Sequence, residues 1–133
     1  MDAVLVLLDL DDGCAAQIAP QLAQTLRALN PPPPIAIVFA VREYEAWFLA
    51  AAESLWGSPY KGEPEGPRDA KGKVAQFEPE YTPTTHQPSL SAKMSLDQAF
   101  QNSRSFRRFV HALEELLRAV DQNQVVITPN PNP

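Results

Sequence analysis

Two short aliphatic runs constrain this chain more than any other feature. VLVLL at residues 4–8 and IAIVFAV at residues 35–41 are unbroken, contain β-branched residues, and are bounded by acids, glycine or proline. That is the pattern of strands covered on both faces. Between them, GCAAQIAPQLAQTLRALN sets Ile18, Leu22, Leu26 and Leu29 at helical spacing, and Asn30 with four prolines stops it. Pro20 lies inside the pattern, so a kink or a short first turn is expected. Strand, helix and strand over this length make a βαβ unit, with parallel strands and a right-handed crossover.

Beyond it, REYEAWFLAAAESLW reads as a helix with Tyr44, Trp47, Phe48, Ala51 and Leu55 on one apolar face. GSPYKGEPEGPRDAKGK has no periodicity and reads as a loop. Residues 74–94 are expected to hold only short turns, and Ser95 to cap a brief helix, SLDQAFQN. The strongest helical signal is SRSFRRFVHALEELLRAV, whose Phe106, Phe109, Val110, Leu113, Leu116, Leu117 and Val120 form one stripe. With 133 residues the chain is one domain, read here as 1–120, followed by a loose Pro/Asn-rich tail at 121–133.

The lone cysteine, Cys14, excludes an internal disulfide and a cysteine-rich zinc site, which suits the cytoplasm. No apolar stretch is long enough to span a bilayer, and the N-terminus lacks the basic flank of a signal peptide. Residues 1–53 hold seven acids against Arg27 and Arg42. Residues 71–108 hold Lys71, Lys73, Lys93, Arg104, Arg107 and Arg108 against three acids. This split is poorly suited to non-specific duplex binding, which needs a broad cationic surface. It suits a site where a metal sits on acids and basic groups hold an anion, although solvated helix faces produce the same pattern.

Asp9, Asp11 and Asp12 end the first strand, and Glu43 and Glu45 follow the second. In open α/β sheets ligands bind beyond the carboxyl ends of the strands, so neighbouring strands would bring both groups to one edge. Asp9 and Asp11, two apart, would face the same way in extended chain, on the order of 7 Å apart. Mg²⁺ takes one or two carboxylates and keeps several waters, so such an edge is a candidate Mg²⁺ or Mn²⁺ cup. The plainer reading makes these acids turn formers and caps, with Asp12 capping the first helix and Glu43 favoured by a helix dipole. A haloacid-dehalogenase phosphatase would need a Thr or Ser motif, a lysine and then an acidic pair, and no such pair follows Glu115; a receiver domain would need five alternating β/α units, which are absent.

LLDLDDG, VREYEAWFLA, DAKGK, YTPTTHQPSLSAKM and SRSFRRF, read in that order from about Val4 to about Leu117, resemble a bacterial TOPRIM-like domain-of-unknown-function family. Its members are often encoded beside AAA-type ATPases, and it is related to the nuclease domain of overcoming-lysogenisation-defect proteins. The resemblance implies an α/β, TOPRIM-like fold with a mostly parallel sheet flanked by helices. It further implies divalent metal held by a DxD and a glutamate, and a nuclease acting on nucleic-acid phosphodiesters. Asp9 and Asp11 match the DxD, and Glu45 matches an acid typical of the family; Asp12 and Glu43 are weaker matches. Lys73 and the SRSF serines fall in family motifs, and Lys73 or the arginines would offset phosphate charge.

TOPRIM domains carry a further glutamate, the general acid/base, in a segment before the DxD strand. Here that strand starts almost at Met1, so the resemblance implies an N-terminally truncated fold without it. The strand that would flank the sheet is missing with it, which leaves an apolar surface for which a second copy of the chain is one candidate cover. The rival expectation is a non-catalytic module that docks on an ATPase partner, its acids only capping turns. Other residues carry plainer expectations: His86 bonded to backbone, His111 on a helix face, Trp47, Phe48 and Trp56 in the core, and Cys14 unreactive beside the acids.

Overall fold

The structure, a computed structural model, describes residues 2–11, 13–29 and 33–128. It is α/β. β1 (Val4–Asp9) leads through α1 (Ala15–Arg27) to β2 (Ile35–Ala40), and the two strands run parallel in the register Val4↔Ile35 to Asp9↔Ala40. The expected βαβ unit is therefore present. The helices α2 (Glu45–Ala50), α3 (Ala52–Trp56), α4 (Ala70–Phe77), α5 (Pro83–Lys93), α6 (Leu96–Asn102) and α7 (Arg104–Asp121) follow. A two-residue β3 (Ile127–Thr128) then pairs parallel with Ile35 and Ala36 of β2. The sheet order is β1-β2-β3. Part of the stretch read as a loose tail thus enters the sheet, while 129–133 lie outside the described residues. No helix among the described residues is long and apolar enough to cross a membrane.

Side chains alternate across a strand, and β2, buried along its whole length, serves two cores. Ile35, Ile37 and Phe39 meet Ala19 and Ala23 of α1, while Ala40 joins a larger cluster around Trp47, Phe48, Val74, Leu90, Met94 and Phe106. β1 lies at the sheet's edge with Val4, Leu5 and Leu8 about 40% exposed, so it is not the strand covered on both faces that its aliphatic run predicts, although an apolar surface was expected there.

Four sequence expectations change. Residues 74–94 hold the second half of α4 and all of α5 rather than short turns, and the first half of α4 lies in the end of the stretch read as a loop. Their periodicity is faint because α5 buries only Leu90 and α4 only Ala70 and Val74. α5 starts with Pro83 in its first turn, where a missing N–H costs nothing, and tolerates Pro88 farther in. The helix expected over 42–56 is broken at Ala51 into α2 and α3. On α7, Phe106 and Leu116 are buried, but Leu113 and Leu117 are exposed. Pro20 is carried within α1.

The SRSF serines have a structural role. Ser103 caps α7, accepting from the Phe106 N–H, and donates to Glu65 Oε1 at 2.7 Å. The Ser105 N–H donates to the same Glu65 oxygen, and Ser105 Oγ accepts the Trp47 indole N–H at 2.8 Å. Polar groups buried at this crossing are thereby satisfied.

Candidate functional site

The exits of β1 and β2 are stitched together. The Leu10 N–H donates to the Ala40 carbonyl and the Asp11 N–H to the Arg42 carbonyl, and the Tyr44 N–H reaches Asp9 Oδ1 at 2.8 Å. Both exits turn through left-handed backbone, at Asp11 (φ 53°) and Arg42 (φ 69°). Because β1 and β2 are parallel neighbours, their carboxyl ends deliver acids to one edge, as the spacing predicted. β1 ends at Asp9, however, so Asp9 and Asp11 are not consecutive same-face residues of one strand. Asp11 is exposed beside the edge, and Asp12 lies outside the described residues.

Glu45 opens α2 and is fully buried. Its Oε1 accepts from the Tyr81 hydroxyl at 2.8 Å and from the Gln87 amide at 3.1 Å. Its Oε2 is buried with no hydrogen-bond partner. A carboxylate taken out of water in this way calls for a cation. The nearest is Lys71, whose Nζ lies 4.0 Å from Glu45 Oε2 and 2.6 Å from Glu43 Oε2. Glu43 grips Lys71 a second time, its Oε1 accepting the Lys71 backbone N–H.

Electrostatics link these groups. The Asp9 carboxyl is pushed above its ordinary value by partial burial, opposed by the Tyr44 N–H and reinforced by the nearby Glu45. The bond to Glu43 holds the Lys71 ammonium protonated above its usual range, with Glu45 and Asp9 adding to it. Burial, together with the bond to Glu45, raises the Tyr81 hydroxyl strongly, so it stays a donor.

Of the residues singled out by sequence, the fold gathers Asp9, Glu43 and Glu45, with Asp11 at the rim. Lys73 is not the amine that reaches them: among the described residues the ion pairs to this cluster come from Lys71. Asp69 caps α4 by accepting the Gly72 N–H, so Lys71 and Lys73 fall two residues apart on a helix and point to different sides. A Cβ at Gly72 would collide with the Asp69 carboxylate, which explains the glycine in DAKGK. Tyr81 and Gln87 lie in the motif YTPTTHQPSLSAKM, but their bonds to Glu45 were not foreseen, because the turn and helix that present them were not legible in the sequence. Arg107 is engaged elsewhere, donating to the Phe100 and Gln101 carbonyls, whereas Arg42 lies at the acidic edge with its guanidinium reaching the Asp11 carbonyl.

The histidines and the aromatic residues behave as the plainer readings had it. His86 Nδ1 accepts from the Thr82 N–H, though within α5. The His111 ring packs edge-on against Phe100. Trp47 and Phe48 are buried, and Trp56 stacks on Phe77 and donates to Glu78. Cys14 is exposed at the start of α1. No three His, Cys, Asp or Glu side chains among the described residues form a metal-binding group. The cluster consists of three acids, Asp9, Glu43 and Glu45, about one amine, which Glu43 holds.

Residues 1–114 match the family model described as Domain of unknown function (DUF4276). No curated protein and no solved structure matches the chain.

Proposed function

The chain belongs to DUF4276, a family of domains of unknown function, and we propose that it is a TOPRIM-like cytoplasmic domain that binds Mg²⁺ or Mn²⁺ and acts as a nuclease on nucleic-acid phosphodiesters. The observation that carries this reading is Glu45 Oε2, buried, unpartnered and beside a second carboxylate at the mouth of a parallel sheet. The fit is that of a hydrated ion. Glu45 Oε2 and the Asp9 oxygen not taken by Tyr44 would hold it, with Asp11 exposed at the rim. Such an ion, when bound, polarises a phosphodiester oxygen and lowers the pKa of a water. Around it, Tyr81 and Gln87 hold the Glu45 carboxylate in place, and Tyr44 orients Asp9. Lys71 takes the part of offsetting phosphate charge that the sequence had given to Lys73.

A second reading is favoured by the Glu43–Lys71 pair, which partly neutralises the acids without metal, and by Asp9 serving the start of α2. Here the domain is a non-catalytic module for an ATPase partner. Under either reading, the exposed β1 edge is where a second copy of the chain would pair.

Calorimetric titration of the full chain with Mn²⁺ separates the two. Binding that is lost in both Asp9→Asn and Glu45→Gln supports the metal site; binding that survives either change, or no binding by the wild type and by Lys71→Met alike, overturns it. Asp11→Asn weakens binding only if that carboxylate takes part. Metal-dependent cleavage of DNA or RNA by the wild-type chain, absent in Glu45→Gln, then tests the activity.

A further inference from the structure

Glu43 is bound to Lys71 twice, through its backbone N–H at 3.2 Å and its ammonium at 2.6 Å. Glu45, two residues on, is not satisfied by the same amine. Its Oε2 is 4.0 Å from Nζ, too far for a hydrogen bond, and has no other partner. The ammonium therefore neutralises the hollow without filling it. Its side chain is 42% exposed, against 1% for Glu45, so it can leave toward solvent while the carboxylate cannot. The backbone grip on Glu43 would remain after the amine had left.

The geometry points to Lys71 as a built-in counter-cation that a divalent ion entering at Asp9 and Glu45 must displace. This rests on the metal-binding reading above and adds a coupling to it: one cation leaves as the other arrives. The two do not share the hollow, because an ammonium within contact distance of Glu45 would face a doubly charged ion in a poorly solvated space. Linkage makes the effect reciprocal, so bound metal drives the amine outward as strongly as the amine opposes metal. The displaced amine stays tethered at the rim, within reach of an anionic substrate.

Two measurements on the full chain test this. In Mn²⁺ calorimetry, Lys71→Met binds about 5-fold or more tightly than wild type, whereas Lys71→Arg, which keeps the charge, gains nothing. In acetic anhydride labelling read by mass spectrometry, Lys71 of the wild-type chain is modified faster with saturating Mg²⁺ than without, while Lys93 is unchanged. Tighter binding by Lys71→Met, even where wild-type binding is too weak to detect, supports the exchange. Wild-type binding that disappears in Glu45→Gln but is unchanged or weakened in Lys71→Met overturns the exchange and leaves the metal site standing. If neither wild type nor Lys71→Met binds, both fall. Should Lys71→Met fail to fold, the labelling decides: a rate insensitive to Mg²⁺ overturns the exchange.

Discussion

On the side of β2 that Ala40 faces, Trp47 is boxed in by aromatic rings. The Tyr44, Phe106 and Phe109 centroids lie 5.2, 5.1 and 5.4 Å from its own. Its indole N–H is matched by Ser105, and Glu65 fastens that serine's backbone to the preceding loop. On the other side, a single helix covers Ile35, Ile37 and Phe39 with Ala19, Ala23 and the half-buried Ile18, Leu22 and Leu26, and the adjoining β1 leaves Val4, Leu5 and Leu8 about 40% exposed. The same strand is thus held by a rigid, polar-latched core on one face and a thin layer on the other. The acids emerge at the seam: Asp9 from the exposed edge strand, on the face it shares with its partner Ala40, and Glu45 from the end of the latched core. The difference teaches that the site's anchoring is unequal, with Glu45 immovable and Asp9 dependent on one backbone bond from Tyr44.

Substitutions test that contrast. Trp47→Ala should cost about 3–5 kcal/mol in urea unfolding, the largest effect expected of one residue here. Leu8→Ala, on the exposed edge, should cost under about 0.5 kcal/mol; comparable losses would break the contrast. Ser105→Ala leaves a buried indole N–H unpartnered and should cost about 1–3 kcal/mol, with Trp47 fluorescence altered in the folded state. Glu45→Gln keeps an oxygen for Tyr81 and Gln87, so stability should move by less than about 1 kcal/mol while Mn²⁺ binding vanishes. A collapse of the fold in that variant would make Glu45 a structural residue only.

The smallest effect is one of pH. A carboxyl raised in the folded state binds its proton more tightly there than in the unfolded chain, so ionising it lowers stability as pH rises above the ordinary value of 3.8. Asp9→Asn should therefore raise the melting temperature at pH 7 by about 1 °C or less, given solvent screening. The gain should disappear below about pH 3, where the carboxyl is protonated in both states. A gain that persists in acid would mean that Asp9 is strained rather than repelled.

The βαβ unit was legible in the sequence because aliphatic runs of strand length have few other uses, and the meeting of Asp9 with Glu43 and Glu45 followed from parallel pairing. Ser95 as a cap was legible for a similar reason, a short polar residue just before helical spacing. α4 and α5 were not, because they dock through one or two small contacts and carry proline, threonine and glutamine elsewhere. The choice of Lys71 over Lys73 was hidden with them, since only the start of α4 decides which amine turns toward the acids. The exposed Leu113 and Leu117 show the converse error, in which an apolar stripe continues past the body that buries its first half.

The Glu65 carboxylate, tied to Ser103 and Ser105, lies far along the chain from the acids it influences. It splits the long connection after α3 into two spans, and only four residues separate Glu65 from Ala70, where α4 begins. Extra length on the earlier span is slack, which each doubling makes costlier by only about 0.6 kcal/mol. The later span is short, so an added residue there falls close to the Asp69 cap that starts α4 and sets which lysine meets the acids. A tether on the opposite flank thus anchors the chain just ahead of the turn on which the amine's placement depends.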